Sequence, residues 1–461
     1  MTSPKTDPFI AARAGAPGPD VSGPAQATSE RYSLAGESAV VPGLSPWECL
    51  EEARAGAAGE PLFLWEAPSG EAIAGIGAAC TLESSGSGRF ADIRARLERL
   101  LGGAKHPGAK PTGFPGAVAV GGFAFAEQIA RRGWPGFADA SFHVPARIFW
   151  QAPGGATIET RWSANENGVE PQDGSCEDPA EPAAGPDLEA APEEIGERDR
   201  WLDAVRVTLD RIRDGTFSKA VLARSRGIEL DRSAGAAEIM ASLRAAYPTC
   251  YRFLIGDRNG NAFLGASPER LVRLVGDDVL TEAVAGTQRC EPEDDGSKLA
   301  RALARSEKDL NEHRIVLDHL LAALSPLCES LHAGSPEVMR LPHLLHLRTS
   351  VRGSAFPGAH VLDLVSRLHP TPAVAGWPRS EALSWIARVE AGGRGWYAGP
   401  VGWVNARGEG DFAVGIRSIG IRGRSARLFA GAGIVAGSDP ALEWSETELK
   451  MKGILDAVAR D

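Results

Sequence analysis

Apolar and polar residues alternate in short runs over much of the first third of the chain, which is the pattern of half-buried β-strands. The strand-like runs between residue 61 and about residue 160 include Pro61–Trp65, Ala117–Phe125 and His143–Trp150. One run with helical spacing, Phe90–Leu101, lies among them. We therefore predict that this part is mostly strand and carries one amphipathic helix.

Longer helical runs follow after residue 195. Arg200–Arg213 has helical spacing, and the strand-like run Ser218–Ala223 comes shortly after it. Two further helices are predicted at Ser297–Leu324 and Pro440–Val458, the last with Asp439 as N-cap and a proline at the first helical position. Strands predominate between these helices, and their order does not indicate a parallel doubly wound sheet.

Two segments have neither pattern. Residues 1–40 are rich in Ala, Gly, Pro and Ser, which predicts a disordered N-terminal tail. Residues 163–195 are acidic and rich in proline, which predicts a linker or surface excursion. The remainder divides into an N-terminal part, residues 41–162, and a larger region, residues 196–461.

Composition and charge exclude several classes of protein. A chain of 461 residues with 43% hydrophobic residues can bury an extensive core in one domain or two. Its net charge of −11 argues against a nucleic-acid-binding surface. No run approaches the roughly 18 apolar residues of a membrane span, and the N-terminus lacks a secretory pattern. The six cysteines form no CxxC pair, which predicts reduced thiols in a cytoplasmic protein.

Acidic residues recur with helical spacing at two places. Glu443, Glu446 and Lys450 are spaced to project from one face of the last helix, and Asp309 and Glu312 are spaced i and i+3 on an earlier one. Either set alone is typical of a solvated salt-bridge face. Two carboxylate pairs on separate helices could instead converge on one hard cation such as Mg²⁺, which prefers oxygen ligands.

A shaped loop, Leu368–Pro378, reads LHPTPAVAGWP and cannot continue a helix or a central strand. It is followed in order by Tyr397–Trp403, Phe412–Arg417, Ala430–Val435 and the acidic helix face. This order of motifs resembles that of the chorismate-utilising enzymes, and the HPTPAVAG motif is most similar to that of their isochorismate synthase branch. The resemblance is specific from about residue 195 to the end, and general over residues 45 to 160. It implies a single α+β fold with two large antiparallel sheets packed face to face and helices outside.

The resemblance also implies catalytic roles that the residues alone leave open. Lys219 could equally lie on the solvent-exposed face of a strand, and Glu269 could be a turn carboxylate paired with Arg270. In the family, the lysine is the general base that activates water, and the glutamate is the general acid that protonates the departing C4 hydroxyl. The implied metal ligands are Glu312 and Glu446.

The acidic neighbours Asp309 and Glu443 match residues that hold metal-bound water. Other matches form the implied substrate site. They comprise a Gly-Thr turn, a histidine, a loop alanine, two groups for the enolpyruvyl side chain, a glycine-rich strand and a carboxylate-binding lysine. These substrate-binding positions are Gly286, Thr287, His346, Ala373, Tyr397, Arg417, Gly431, Ala432, Gly433 and Lys450.

The implied reaction is the reversible, Mg²⁺-dependent conversion of chorismate to isochorismate, in which water adds at C2 and the C4 hydroxyl leaves. Such an isomerase serves menaquinone or siderophore biosynthesis. The alternatives are a salicylate synthase and an anthranilate or aminodeoxychorismate synthase component, and those relatives usually place threonine where this chain has Ala373. The sequence contains no recognisable glutaminase triad, and we expect no glutaminase subunit. A catalytically silent scaffold is disfavoured because all the implied catalytic residues are present. We expect a monomer or weak dimer.

Overall fold

The chain folds into alternating groups of strands and helices. A computed structural model describes residues 32–105, 115–127, 137–166, 196–231, 235–290, 296–390 and 392–459. In the described residues the strands are β1 (Tyr32–Val41), β2 (Leu62–Glu66), β3 (Ala72–Ser84), β4 (Val118–Phe123), β5 (Ala140–Gln151), β6 (Thr157–Glu166), β7 (Lys219–Glu229), β8 (Tyr251–Gly256), β9 (Ala262–Ser267), β10 (Arg270–Val275), β11 (Asp278–Arg289), β12 (Cys328–Ala333), β13 (Glu337–Arg340), β14 (Leu344–Ala355), β15 (Gly376–Trp377), β16 (Pro400–Asn405), β17 (Gly410–Val414), β18 (Ser418–Arg422) and β19 (Ser425–Val435).

The helices in the same part of the chain are α1 (Pro46–Arg54), α2 (Arg89–Gly102), α3 (Glu197–Arg213), α4 (Ala236–Ala246), α5 (Gly296–Leu303), α6 (Glu307–Leu324), α7 (Val361–Leu368), α8 (Arg379–Val389) and α9 (Pro440–Val458). No helix among the described residues is both long enough and apolar enough to cross a membrane. The predicted class, a mixed α+β fold, is confirmed.

The strands join into one hydrogen-bonded antiparallel sheet with two arms. The first arm runs β1–β6–β5–β3–β2–β8–β9–β18–β19–β7–β15. The second arm leaves β5 through β4 and runs β4–β16–β17–β10–β11–β14, and both β12 and β13 pair with β14. Both arms therefore depend on the long strand β5.

A proline marks the point where β5 changes neighbours. Its first half, from Ala140 to His143, pairs with β4, whereas its second half, from Arg147 to Trp150, pairs with β6. Pro145 lies between these halves and opposite Ala78, where the register with β3 shifts. Proline has no N–H to donate to a ladder, so it is tolerated where pairing is interrupted.

The helices that matter for the site lie against the two arms. Helix α6 packs against β11 and β14 of the second arm, and α9 packs against β19 of the first arm. The α9 N-terminus agrees with the prediction, because the Asp439 carboxylate accepts hydrogen bonds from the amides of Ala441 and Leu442 at 2.9 Å. Helices α2 and α3 also lie where helices were predicted.

The prediction of a single helix over Ser297–Leu324 is wrong. The segment forms two helices, α5 and α6, and Ser306 is the N-cap of the second. The Ser306 hydroxyl accepts a hydrogen bond from the Asp309 amide at 3.3 Å. A serine side chain competes for backbone N–H groups and therefore favours a helix start over a helix interior.

The boundaries of the two segments predicted to lack structure are also wrong in part. Residues 32–40 belong to β1, which pairs with β6 along its whole length, and residues 163–166 continue β6. Residues 1–31 and 167–195 lie outside the described residues. Strand β1 escaped prediction because small residues obscure its pattern. A Cβ on Gly36 would lie 2.6 Å from the Trp162 ring, so the tight packing requires glycine there.

Candidate active site

Lys219 begins strand β7 and has a fully enclosed side chain, of which 1% is exposed. Its Nζ lies 2.9 Å from Oε1 of Glu312 on helix α6. Val435 and Trp377 lie directly opposite Lys219 on the two neighbouring strands, so the three side chains share one sheet face. The alternative that Lys219 lies on a solvent-exposed face of the strand is therefore wrong.

Two glycines of β19 give the site its space. A Cβ on Gly433 would lie 2.5 Å from Glu312 Oε1 and 3.3 Å from Lys219 Cε. A Cβ on Gly431 would lie 3.2 Å from the Tyr397 hydroxyl. Between them, Ala432 is buried and points to the other face of the strand. Side chains at either glycine would displace groups that the sequence placed in the site.

The polar face of α9 turns towards the protein. Lys450 Nζ donates to Glu446 Oε1 at 2.6 Å and to the Gly431 carbonyl at 2.8 Å. Glu443 is buried, and Lys308 Nζ lies 3.4 Å from its Oε1. The alternative of a solvated salt-bridge face is therefore wrong for α9.

Three carboxylates from α6 and α9 lie near one another. Burial, together with the charges of Glu446 and Glu312, raises the pKa of Glu443 to about 7, although Lys308 opposes the shift. Asp309 points to other partners: its carboxylate accepts hydrogen bonds from the Ser306 hydroxyl and, at 3.3 Å, from the Thr287 amide. The carboxylates of the two helices thus meet between α6, α9 and β19.

The carboxylate cluster fits magnesium in its chemistry. Its donors are all carboxylate oxygens, and their mutual repulsion, which adds to the effect of burial in raising the pKa of Glu443, favours a cation among them. In the part of the chain that the structure describes, no three His, Cys, Asp or Glu side chains are already arranged as a metal site. Instead Glu312, Glu443 and Glu446 each pair with a lysine.

Glu269 lies in the turn between β9 and β10 and is buried. Burial raises its pKa to about 8, helped by the negative charge of Glu282 and opposed by Lys219 and Lys450. Arg270 lies at 3.5 Å from Asp411 and 3.9 Å from Glu282, so its charge is directed to those carboxylates. A carboxyl group that stays protonated at neutral pH is suited to donate a proton.

His346 and the Gly286-Thr287 turn are in contact. His346 Nδ1 lies 3.2 Å from the Thr287 hydroxyl and 3.3 Å from the Gly286 carbonyl oxygen. Burial lowers the pKa of His346 to about 3, and Arg417 and Lys450 contribute to the shift. The imidazole is therefore neutral at physiological pH and serves as a hydrogen-bonding group.

Arg417 and Tyr397 lie beside unusual backbone. Among the described non-glycine residues, positive φ occurs at Ala398 (62°) and at Arg417 itself (52°). The Arg417 carbonyl accepts from the Ala266 amide at 3.0 Å, which holds this conformation. Burial lowers the pKa of Arg417 and raises that of Tyr397 to about 12. Backbone strain of this kind clusters at functional sites.

The Ala373 loop is attached to the strand that carries Lys219. The Ala375 carbonyl accepts from the Val221 amide at 2.8 Å, and Gly376 pairs with Ala220. Ala373 itself is partly buried against the hydrophobic core. The structure therefore brings the loop next to β7.

A groove of about 470 Å³ is lined among others by Ser218, Lys308, Asn311 and Trp377. Lys308 was not among the predicted site residues, although it lies next to Asp309 and pairs with Glu443. Its position between acidic residues of the SEKDLNEH segment was the only sequence signal for it.

Comparison with known proteins identifies the class to which this fold and site belong. A family profile described as "Chorismate binding enzyme" matches residues 23–459. The chain therefore belongs to the chorismate-binding enzymes, as its motifs predicted.

Relatives in this family place the chain more closely. It is 32% identical to isochorismate synthase MenF of Bacillus subtilis over 414 residues, which is 86% of this chain and 87% of that protein. It is 35% identical over 422 residues to the salicylate biosynthesis isochorismate synthase of Pseudomonas aeruginosa, covering 87% and 85% of the two chains.

The fold is also similar to that of a solved isochorismate synthase. The menaquinone-specific isochorismate synthase MenF of Escherichia coli superposes with a TM-score of 0.72 at 25% identity, covering 94% of this chain and 96% of that one. The predicted grouping with the isochorismate synthases is confirmed.

Proposed function

We propose that this chain is a magnesium-dependent isochorismate synthase that interconverts chorismate and isochorismate. The observation that carries the proposal is an enclosed lysine and a buried carboxyl group with a pKa of about 8, close enough to influence each other electrostatically. They provide one proton acceptor and one proton donor in a chain that is similar to isochorismate synthases over most of its length.

The reaction needs both groups. Lys219, as the neutral amine, removes a proton from a water molecule while the water oxygen attacks C2 of chorismate. The ring double bonds shift, the C4–oxygen bond breaks, and Glu269 gives its proton to the leaving hydroxyl, which departs as water. Water is consumed and released, so substrate and product are isomers. In the reverse direction the two residues exchange roles.

Other residues bind and orient the substrate in this proposal. Arg417 holds the enolpyruvyl carboxylate through its planar guanidinium, and the Tyr397 hydroxyl contacts the same side chain. Lys450 binds a second carboxylate. The Thr287 hydroxyl contacts the substrate ring, and the hydrogen bond to His346 fixes its orientation. The backbone of Gly286 and of Gly431–Gly433 leaves room for the ring.

Glu312 and Glu446 would hold magnesium, with Asp309 and Glu443 binding its water molecules. When bound, the metal supplies Lewis-acid stabilisation of charge on the conjugated carboxylate. The donor chemistry and mutual proximity of Glu312, Glu443 and Glu446 support this assignment.

We also infer that the two arms of the sheet pack face to face. A single buried apolar cluster contains residues of the first arm, such as Phe63 and Phe253, together with Val401 and Phe412 of the second. Apolar side chains from two sheet faces form one such core when the sheets are stacked.

The product mixture tests the proposed function against its nearest rivals. Because Ala373 stands where ammonia-using and salicylate-forming relatives usually carry threonine, purified protein with chorismate and Mg²⁺ is expected to stop at isochorismate and approach an equilibrium. Chromatography and a coupled pyruvate assay measure the products, with ammonium added in a parallel reaction. Stoichiometric pyruvate with salicylate would indicate a salicylate synthase, and an aminated product would indicate the glutamine-dependent group.

Glu269 gives the reaction a defined alkaline limit. Its pKa of about 8 means that the carboxyl is protonated below that pH and ionised above it. A general acid acts only when protonated, so turnover of chorismate is expected to fall as the pH rises through about 8. A pH profile of kcat/KM, which reports the ionisation of the free enzyme, checks this, with circular dichroism at each pH as the control for folding. A flat profile up to pH 10 would contradict the assignment.

A further inference from the structure

Arg394 and Glu390 form a buried ion pair that the sequence analysis did not select. Arg394 Nε donates to Glu390 Oε2 at 2.8 Å, and Nη2 donates to Oε1 at 2.5 Å. The two side chains are 3% and 8% exposed. A pair held by two parallel hydrogen bonds has a fixed geometry, which a single contact would not provide.

The same two side chains also bond to the backbone of two site segments. Arg394 donates to the Val374 carbonyl from Nη1 and to the Val221 carbonyl from Nη2, both at 2.6 Å. Glu390 Oε1 accepts from the Ala223 amide at 2.7 Å. The pair thus joins the residue after Ala373 to the strand that begins with Lys219.

A third site segment is attached through the Arg394 backbone. The Arg394 carbonyl accepts from the Tyr397 amide at 3.0 Å. The guanidinium lies 4.2 Å from the centre of the Phe125 ring, which fixes its remaining face against the core. Arg394 therefore contacts three segments through its side chain and its carbonyl group. They are strand β7, which begins with Lys219, the Ala373 loop, and the segment that contains Tyr397.

We propose that Arg394, held by Glu390, is a positioning residue that sets the distances among Lys219, the Ala373 loop and Tyr397. This inference rests on the proposed function. The pair touches none of the reacting atoms and acts through the segments that it joins. Replacing a buried ion pair by apolar residues often leaves stability unchanged, so stability alone does not account for the pair. Misplacement of a reacting group by about 1 Å can cost about a hundredfold in rate.

The test compares Arg394→Lys with a matched control, Arg244→Lys. Arg244 also binds a buried carboxylate through two hydrogen bonds, to Glu66 Oε2 at 2.7 Å and Oε1 at 2.8 Å, but lies on α4 outside the proposed site. A lysine keeps the charge at either position but cannot make the fork of hydrogen bonds. We expect Arg394→Lys to lower kcat at least about tenfold with KM changed less than about threefold. The control should retain wild-type kcat.

Hydrogen–deuterium exchange supplies a readout that does not depend on turnover. In Arg394→Lys, the amides of residues 218–223 and 371–377 should exchange faster than in the wild type, whereas in the control these segments should be unchanged. If the wild type does not convert chorismate, the proposed function fails, and exchange alone then decides whether the pair holds the two segments.

Other outcomes overturn the inference. A folded Arg394→Lys variant with kcat within twofold of the wild type, or with unchanged exchange in both segments, would do so. If this variant does not fold, Glu390→Gln replaces it, because the amide keeps an acceptor for the Ala223 amide but loses the charge and one of the two acceptors that hold Arg394. Failure of both variants to fold would show that the pair serves stability, which also overturns the positioning role.

Discussion

Replacing Glu446 by glutamine is expected to abolish magnesium-dependent turnover while the protein remains folded. Glutamine keeps an oxygen that can accept the hydrogen bond from Lys450, so the local packing survives. It removes the negative charge, which a hard divalent cation requires from its few protein ligands. Turnover of chorismate as a function of Mg²⁺ concentration measures the effect, with circular dichroism as the folding test.

Glu448→Gln is the matched control for this change. Glu448 lies on the same helix, is 41% exposed and contacts Arg224, away from the carboxylate cluster. This variant should keep the magnesium dependence of the wild type. Titration calorimetry with Mg²⁺ alone adds a readout other than activity, and it should detect weaker binding only in Glu446→Gln. Full wild-type activity in excess chelator would refute the metal assignment.

Loss of either the base or the acid should lower turnover at least about a hundredfold, which is the usual scale for one such group. Lys219→Ala removes the proton acceptor but also leaves Glu312 without its partner. Lys219→Arg separates these effects, because a guanidinium preserves the ion pair and cannot act as a base near neutral pH. Glu269→Gln fills nearly the same volume, but its amide is not acidic and cannot transfer a proton to the leaving group.

The reverse reaction provides the internal check on this pair. The equilibrium constant between chorismate and isochorismate belongs to the two molecules, so each variant should lose the same factor in kcat/KM in both directions. Initial rates from either substrate measure this. Near-normal rates for Lys219→Ala would show that another group activates the water.

The sequence predicted local features more reliably than contacts between distant segments. The charged residues of the α6 and α9 carboxylate cluster and the loop order could be recognised because spacing along a helix is a local property, and Asp439 capped its helix as expected. The break between α5 and α6 was missed because helical spacing continues across Ser306 and only the cap hydrogen bond reveals the start. Strand β1 was missed because small residues obscure its pattern and because its partner, β6, lies more than a hundred residues away.

The positioning pair illustrates a second limit. Arg394 was not predicted, because an arginine between two glycines gives no local sign of burial. Its role depends on carbonyl groups of Val221 and Val374, which become neighbours only when β7 and the loop come together. Lys308 was passed over for the same reason, since its partner Glu443 lies on another helix. Contacts between distant segments have no signature in either segment alone.

The shared strand β5 has a consequence for any attempt to isolate the catalytic region as a shorter protein. All the proposed catalytic and ligand-binding residues follow residue 218, yet β8 pairs with β2 and β16 pairs with β4. A fragment of residues 196–461 would therefore expose two unpaired strand edges, and exposed edges of this kind promote aggregation. Coexpression with residues 32–166 as a separate chain should restore solubility, so the enzyme can be split but its N-terminal strands cannot be discarded.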